Sequence, residues 1–385
     1  MVERRSMEKR HIYITALHLY HGGAEMAICN LANGFAERGY PVTIWCVYKL
    51  CEPVYRLHPS VDVEYLTGDK PNRQEFLTAL RKCHLLTAFR EGMRSVGILY
   101  RKNRVIMNKI RAVKAGVILS TRLEHNRILA RYAQSGVLKI GQSHYGEHFD
   151  KRLAKWIGRE YIYLDYFVLL TESLRVEAEK IMRKDCHCKC ISIGNYLEDE
   201  VQKKLQAVKD VEREKIVLSV GRLSPEKGFE RLICAWKKVS PNFPQWKLVI
   251  IGDGAERAKL EALAGEIRVT FTGNIAHDRV LELMKQGSVY AMTSYTEGFP
   301  YVLLEACNAE LPVVAYDVPT GPGELVRDGE TGFLVPDHAE DIYCARLEKL
   351  LRNPDLCQKM GKKGKKYVER FTKQNTLDQW EKLFY

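Results

Sequence analysis

Residues 216–239 read IVLSVGRLSPEKGFERLICAWKKV. Ile216–Val220 is a short apolar run without a charge, the signature of a buried strand. A loop, 221–228, follows with two glycines, a proline, Arg222 and Lys227. Phe229–Val239 then returns to a pattern that predicts a helix. The same strand–loop–helix unit recurs in both directions. Upstream, strands are expected at Ile12–Leu17, Val42–Val47, Val117–Ser120, Leu138–Gly141, Tyr166–Leu170 and Ile191–Ile193. Between the first two, Ala24–Arg38 sets Ile28, Leu31, Ala32 and Phe35 on one helical face. Downstream, strands are expected at Lys247–Ile251, Val269–Thr272, Val289–Thr293 and Val313–Tyr316, with helices at Glu256–Leu263, Asp278–Gln286 and Tyr301–Ala309. This alternation predicts an α/β protein built from parallel sheets covered on both faces.

The chain has 385 residues, a length that suits two domains. The polar stretch Glu198–Glu214 reads as an exposed segment containing the linker. The expected organisation is therefore two doubly wound, Rossmann-like domains, 1–195 and 196–371. A final helical stretch, 372–385, is expected to pack back on the first. Ligands bind such sheets outside the carboxyl ends of their strands, so the loops of the two domains should face each other across a cleft.

Sixty Lys and Arg against 48 Asp and Glu give a net charge of +12, which favours an anionic partner. Eleven cysteines scattered through strand-like and helix-like segments read as reduced thiols rather than a disulfide framework. Cys186-His187-Cys188-Lys189-Cys190 lacks the paired spacing of a zinc site, and no metal is expected. No apolar run reaches the length of a membrane span, and none of the recognised nucleic-acid motifs accompanies the positive charge.

Three loops carry residues suited to a phosphorylated sugar. Gly22-Gly23 opens the first helix, where free amides attract anions and glycine admits a ligand close to the backbone. This is not a G-x-G-x-x-G pattern, which argues against a dinucleotide cofactor. Arg222 and Lys227 are cations following a strand end and flanked by Gly221 and Gly228, a composition suited to phosphate oxygens. Glu297-Gly298-Phe299-Pro300-Tyr301 leads into a helix starting near Pro300, an anion site at its amides. Glu297 and Glu305 are carboxylates suited to sugar or ribose hydroxyls.

With these residues in view, the stretch Ser219–Pro336 resembles the C-terminal domain of glycosyltransferase family 4, retaining enzymes with the GT-B fold. Glu297 and Glu305 meet the family's E-x7-E element, Arg222 and Lys227 its diphosphate-binding pair, and Gly22-Gly23 its N-terminal glycine loop. The resemblance implies that Glu305 binds the ribose and Glu297 the transferred sugar. Amides near Gly298, Phe299 and Pro300 would complete the pocket, and Asn274 and Ile275 would line the base. His144, just after a strand, would touch the donor sugar and leaving group; as a histidine it is expected to titrate near neutrality. Gly321-Pro322-Gly323-Glu324 departs from the family pattern.

The implied activity moves a hexose or N-acetylhexosamine from a UDP-sugar to a glycan or lipid-linked saccharide in cell-surface polysaccharide synthesis, without cofactor or metal. The alternatives are a non-catalytic sugar-binding subunit and a nucleotide-sugar 2-epimerase on the same architecture. Residues 73–114 add a further expectation. They carry eleven cationic and two acidic side chains among interleaved apolar ones. Such a segment is suited to lie on anionic lipid, placing the protein in the cytoplasm, peripheral to the inner face of the cell membrane.

Overall fold

The computed structural model describes residues 9–82, 84–144, 146, 148–207 and 212–385. Tyr145 and Glu147 of the histidine loop, and residues 208–211 of the charged segment, lie outside the described residues.

Two parallel sheets stand in series. The first holds β1 (Ile12–Ala16), β2 (Val42–Tyr48), β3 (Val61–Thr67), β4 (Gly116–Ser120), β5 (Val137–Ser143), β6 (Tyr166–Leu169) and β7 (Lys189–Ser192) in the order β3-β2-β1-β4-β5-β6-β7. The second holds β8 (Ile216–Val220), β9 (Lys247–Ile251), β10 (Val269–Phe271), β11 (Val289–Met292), β12 (Val313–Asp317) and β13 (Gly332–Pro336) in the order β10-β9-β8-β11-β12-β13. Each order reverses once, at β1/β4 and at β8/β11. At such a reversal the flanking connections leave toward opposite faces, which opens a crevice at the carboxyl edge. The fold is GT-B.

The strands expected from sequence are present within one or two residues, and the helix Phe229–Val239 has the expected ends. Two strands were not expected. β3 and β13 lie at sheet edges, and most of β3 is only half-buried, so its apolar signal is weak. The segment read as an exposed linker contains a helix, Asp199–Ala207, which buries only Leu205.

Helix α1 (Gly23–Glu37) covers one face of the first sheet, with Ile28, Leu31, Ala32 and Phe35 in its core. The chain crosses to the second domain after β7 and returns near residue 372, where Leu197 and Thr372 form a bridge. The last helix, Lys373–Glu381, then packs on α1, placing Leu377, Trp380 and Phe384 in the core of the first sheet. Lys373 ties this crossing together by pairing with Glu37 and Glu198.

Between β3 and β4, α2 (Arg73–Arg81) and α3 (Leu85–Ala112) form a hairpin, and α4 (Leu123–Tyr132) follows β4. No helix among the described residues is long and apolar enough to cross a membrane.

Candidate functional site

The β8/β11 reversal sets the loop after β8 beside the loop after β11. Lys227 comes from the first and Glu297 from the second, seventy residues on. Lys227 Nζ donates to Glu297 Oε1 at 2.7 Å, and Ser294 Oγ donates to the same oxygen at 2.6 Å. Glu297 is 7% exposed and Lys227 25%, so the pair is partly sheltered from water. The helix Tyr301–Asn308 begins next to it, and its first amides, like those of any helix start, lack intrahelical acceptors. Pro300 itself has no N–H, so it orients the helix start without donating. Gly321, at φ +94°, fits against this corner: a Cβ there would lie 3.0 Å from Glu297 Cβ and from Pro300 Cδ.

Arg222 stands apart. Its side chain is 73% exposed and its guanidinium bonds Glu226 at 2.6 Å rather than turning toward Glu297. An exposed pair of this kind is worth at most about 1 kcal/mol, so an incoming anion can draw it away.

Glu305, one helical turn beyond Tyr301, is buried and meets His277 Nε2 at 2.8 Å. That hydrogen bond raises the His277 pKa above its ordinary value. The motif reading gave Glu305 no protein partner. His277 opens the helix His277–Gln286 after β10, and a histidine directly after a strand-end loop was its only sequence signal. Asn274 is exposed and Ile275 half-buried on the approach to the same helix.

The first domain meets this corner directly. Gly146 lies over the Glu297–Gly298 peptide, and its carbonyl accepts from Thr296 Oγ1 at 2.9 Å and Thr320 Oγ1 at 2.7 Å. A Cβ on Gly298 would lie 3.2 Å from the His144 carbonyl oxygen. The backbone at His144 is therefore brought against the residue that follows Glu297, across the domain boundary. The α1 start also reaches the second domain. Met26 and Ala27 pack in one cluster with Phe299 and Tyr301. The Phe299 ring is spent on this contact, with Phe371 at 5.0 Å, so only its backbone can face a ligand. Gly22 is held by Tyr55, while a side chain at Gly23 would meet open space. At the cleft rim, Glu324 of the divergent Gly321–Glu324 loop accepts from the Glu172 amide of the first domain.

The expectation that His144 titrates near neutrality needs correction. Burial, with the positive charge of Arg122 nearby, lowers its pKa to about 4. Its Nε2 is buried without a partner among the described residues. The imidazole is thus neutral at pH 7 and presents an unused ring nitrogen. Arg122 follows β4 at the first sheet's own reversal; a cation straight after a strand was the overlooked signal. His148, in contrast, turns to Glu177 at 2.6 Å. Burial raises the Cys188 and Cys190 thiols, which disfavours the thiolates that bind metal.

His125 on α4 is likewise buried beside Thr15, and burial lowers its pKa to about 3. Below pH 6.5 the unfolded chain protonates both histidines while the native state does not. Their contribution is therefore present at neutral pH and lost as pH falls toward 4. His277 has the opposite sign: its contribution is complete below 6.5 and is lost as pH rises through its elevated pKa. Unfolding free energy from urea titrations should drop by about 2 kcal/mol per buried histidine between pH 7 and 5. His125→Gln should flatten that slope; an unchanged slope would reject the buried neutral state.

Residues 200–367 match the family of Glycosyl transferases group 1. The chain is 28% identical to an exopolysaccharide phosphotransferase of Streptomyces coelicolor over 94% of its own length, but it spans only 39% of that relative. It is 25% identical to an uncharacterized glycosyltransferase of Haemophilus influenzae, covering 94% of this chain and 95% of the other. Over 36% of its length it is 37% identical to the amylovoran biosynthesis glycosyltransferase AmsD of Erwinia amylovora, covering 39% of that protein. Among solved structures, a glycine-to-arginine mutant of S. aureus TarM, crystallised with Fondaparinux, α-GlcNAc-glycerol and UDP, superimposes with a TM-score of 0.74 at 14% identity, covering 97% and 99% of the two chains. Anabaena HepE with UDP and glucose gives 0.70 at 18% identity, covering 98% and 99%. At these identities the structures establish the shared fold.

Proposed function

We propose that this chain is a glycosyltransferase of group 1 that transfers a hexose or N-acetylhexosamine from a nucleotide diphosphate sugar to a glycan or lipid-linked saccharide, with retention of anomeric configuration. The observation that carries this reading is the Lys227–Glu297 pair at the β8/β11 reversal, set against a helix start and capped by the first domain. Expelling a nucleotide diphosphate requires cationic charge where the leaving oxygens develop theirs. Lys227, the amides at Tyr301 and Val302, and Arg222 once released from Glu226 supply it, the work a metal does elsewhere. Glu297 accepts from sugar hydroxyls. Glu305, shared with His277, accepts from the ribose, and the backbone around Asn274 and Ile275 receives the base. His144 offers its neutral Nε2 to the sugar or to the leaving phosphate.

The acceptor enters from the Gly22-Gly23 side and attacks the face from which the diphosphate departs. UDP is the proposed nucleotide. The relatives named for exopolysaccharide and amylovoran chemistry support a place in polysaccharide synthesis. The test is nucleotide release across UDP-, GDP- and ADP-sugars, followed by the anomeric configuration of the product read by proton NMR. An inverted product would reject retention. Binding of UDP with no turnover on any saccharide would point to a non-catalytic subunit.

A further inference from the structure

Nine of the sixteen exposed large apolar side chains among the described residues fall between Leu77 and Tyr100. Their position follows from the length of α3. At 1.5 Å per residue its 28 residues span about 42 Å, far longer than the strands beneath. Lys109 pairs with Glu64 within β3, and Arg101 with Asp69 just past its end. Moving backward along α3 therefore moves toward the carboxyl end of β3. Ile98 is the first α3 side chain in the core of the sheet. Leu85–Gly97 continues past that edge for about 20 Å, supported by α2 through Asn72 and Ser95.

This overhang has two unlike faces. The inner one buries Ala88 and Glu91, the Glu91 carboxylate held by Asn72 Nδ2 at 2.9 Å. On the outer one Leu86, Phe89, Met93, Val96 and Tyr100 recur at helical spacing and form a single stripe, with Leu86 89% and Phe89 71% exposed. Arg90 and Arg94 flank the stripe, Arg81 and Lys82 stand at its head, and Glu75 is the exposed acid nearby. At its far end the stripe runs into a groove of about 470 Å³ between α3 and α4. Tyr100, Met107 and Ile128 line it together with Arg104, Arg127, Arg131 and Glu124, and Arg127 and Arg131 are engaged by Glu160 at 2.8 and 3.0 Å. Exposed apolar side chains bordered by cations and continuing into a groove with an apolar lining match an anionic amphiphile.

We propose that this α2–α3 overhang docks the protein on an anionic lipid bilayer. The surface is narrower than the whole basic segment 73–114. Lys102 is buried, Lys109 is engaged by Glu64, and Arg111 stacks on Tyr132 at 4.4 Å. The overhang lies on the cleft side of the first sheet, so a bilayer seated there presents lipid-linked saccharides to the cleft.

Flotation with vesicles tests this without nucleotide, and so independently of the proposed transfer. Wild-type protein should float with phosphatidylglycerol and phosphatidylcholine in equal parts, and not with phosphatidylcholine alone. Phe89→Asp with Met93→Asp should abolish flotation. Arg90→Gln with Arg94→Gln should weaken it about 25-fold, about five-fold per cation. Thermal melting should be unchanged in the aspartate pair, since Phe89 and Met93 are exposed, and should fall slightly in the glutamine pair, since Arg90 and Arg94 lie 3.6 and 3.5 Å from the buried Glu91 carboxylate. Failure to float, equal binding to phosphatidylcholine alone, or binding untouched by either pair overturns the proposal. So does a dimer in light scattering that Phe89→Asp dissolves, because the stripe would then join two copies of the chain.

Discussion

Lys227→Met is expected to lower kcat/KM for the proposed sugar transfer by about 10²–10³-fold, the usual cost of removing one group that stabilises developing charge. The side chain has two duties. Without a ligand its ammonium neutralises a largely buried carboxylate, Glu297. In the proposed complex the same ammonium faces the diphosphate while Glu297 turns to sugar hydroxyls. Because the two residues act as a unit, Glu297→Gln in the Lys227→Met background should cost far less than Glu297→Gln alone. Losing the ammonium also leaves Glu297 with Ser294 as its remaining side-chain donor among the described residues, so some stability is lost too. Isothermal titration with UDP separates the effects, since a folded variant with weakened UDP binding reports on the site. Unchanged UDP affinity and turnover in Lys227→Met would remove the diphosphate from this corner altogether.

Trp380→Ala should destabilise the first domain by about 3–5 kcal/mol, although residue 380 is nearly two hundred residues past the last strand of that domain. Trp380 is 1% exposed, and its ring meets Phe35 of α1 edge-on at 6.3 Å. Leu377 and Phe384 share the same core. For a domain of this size each kcal/mol shifts Tm by about 2–4 °C. The shift should appear in the transition of the first domain, and calorimetry resolves it from that of the second. A loss below 1 kcal/mol, or one confined to the second domain, would show that the last helix is no part of the first core.

Much of the molecule is legible in its residues, and the failures share a cause. Phe229–Val239 ends where the sequence predicts because it buries a continuous apolar face, from Phe229 through Trp236 to Val239. β3, β13 and the helix Asp199–Ala207 were overlooked because they are peripheral. An element that packs on one side carries about half of the periodic signal, and nine residues that bury a single leucine carry less. The site divides the same way. Gly22, Gly23, Arg222, Lys227 and Glu297 were singled out because each sits in a loop or helix start whose chemistry is local, and Glu305, inside a helix, by its spacing from Glu297. The His277 bond to Glu305, the neutral state of His144 and the outward turn of Arg222 were not. The first two depend on a neighbour far away in the chain or on the depth of burial, whereas Arg222 turns to Glu226, a local partner four residues on.

The sequence by itself determined the alternation of strands and helices, the two-domain plan and the loops rich in anion-binding groups, because backbone preference and apolar period are written within a dozen residues. Only the tertiary structure decided that β8 lies against β11, and so that Lys227 reaches Glu297. Strand order follows from which face each crossover packs against, a choice made by the whole core and absent from any one segment. The closing of Gly146 over Gly298 and the extension of α3 past its sheet are settled at the same level, by how completed layers fit together.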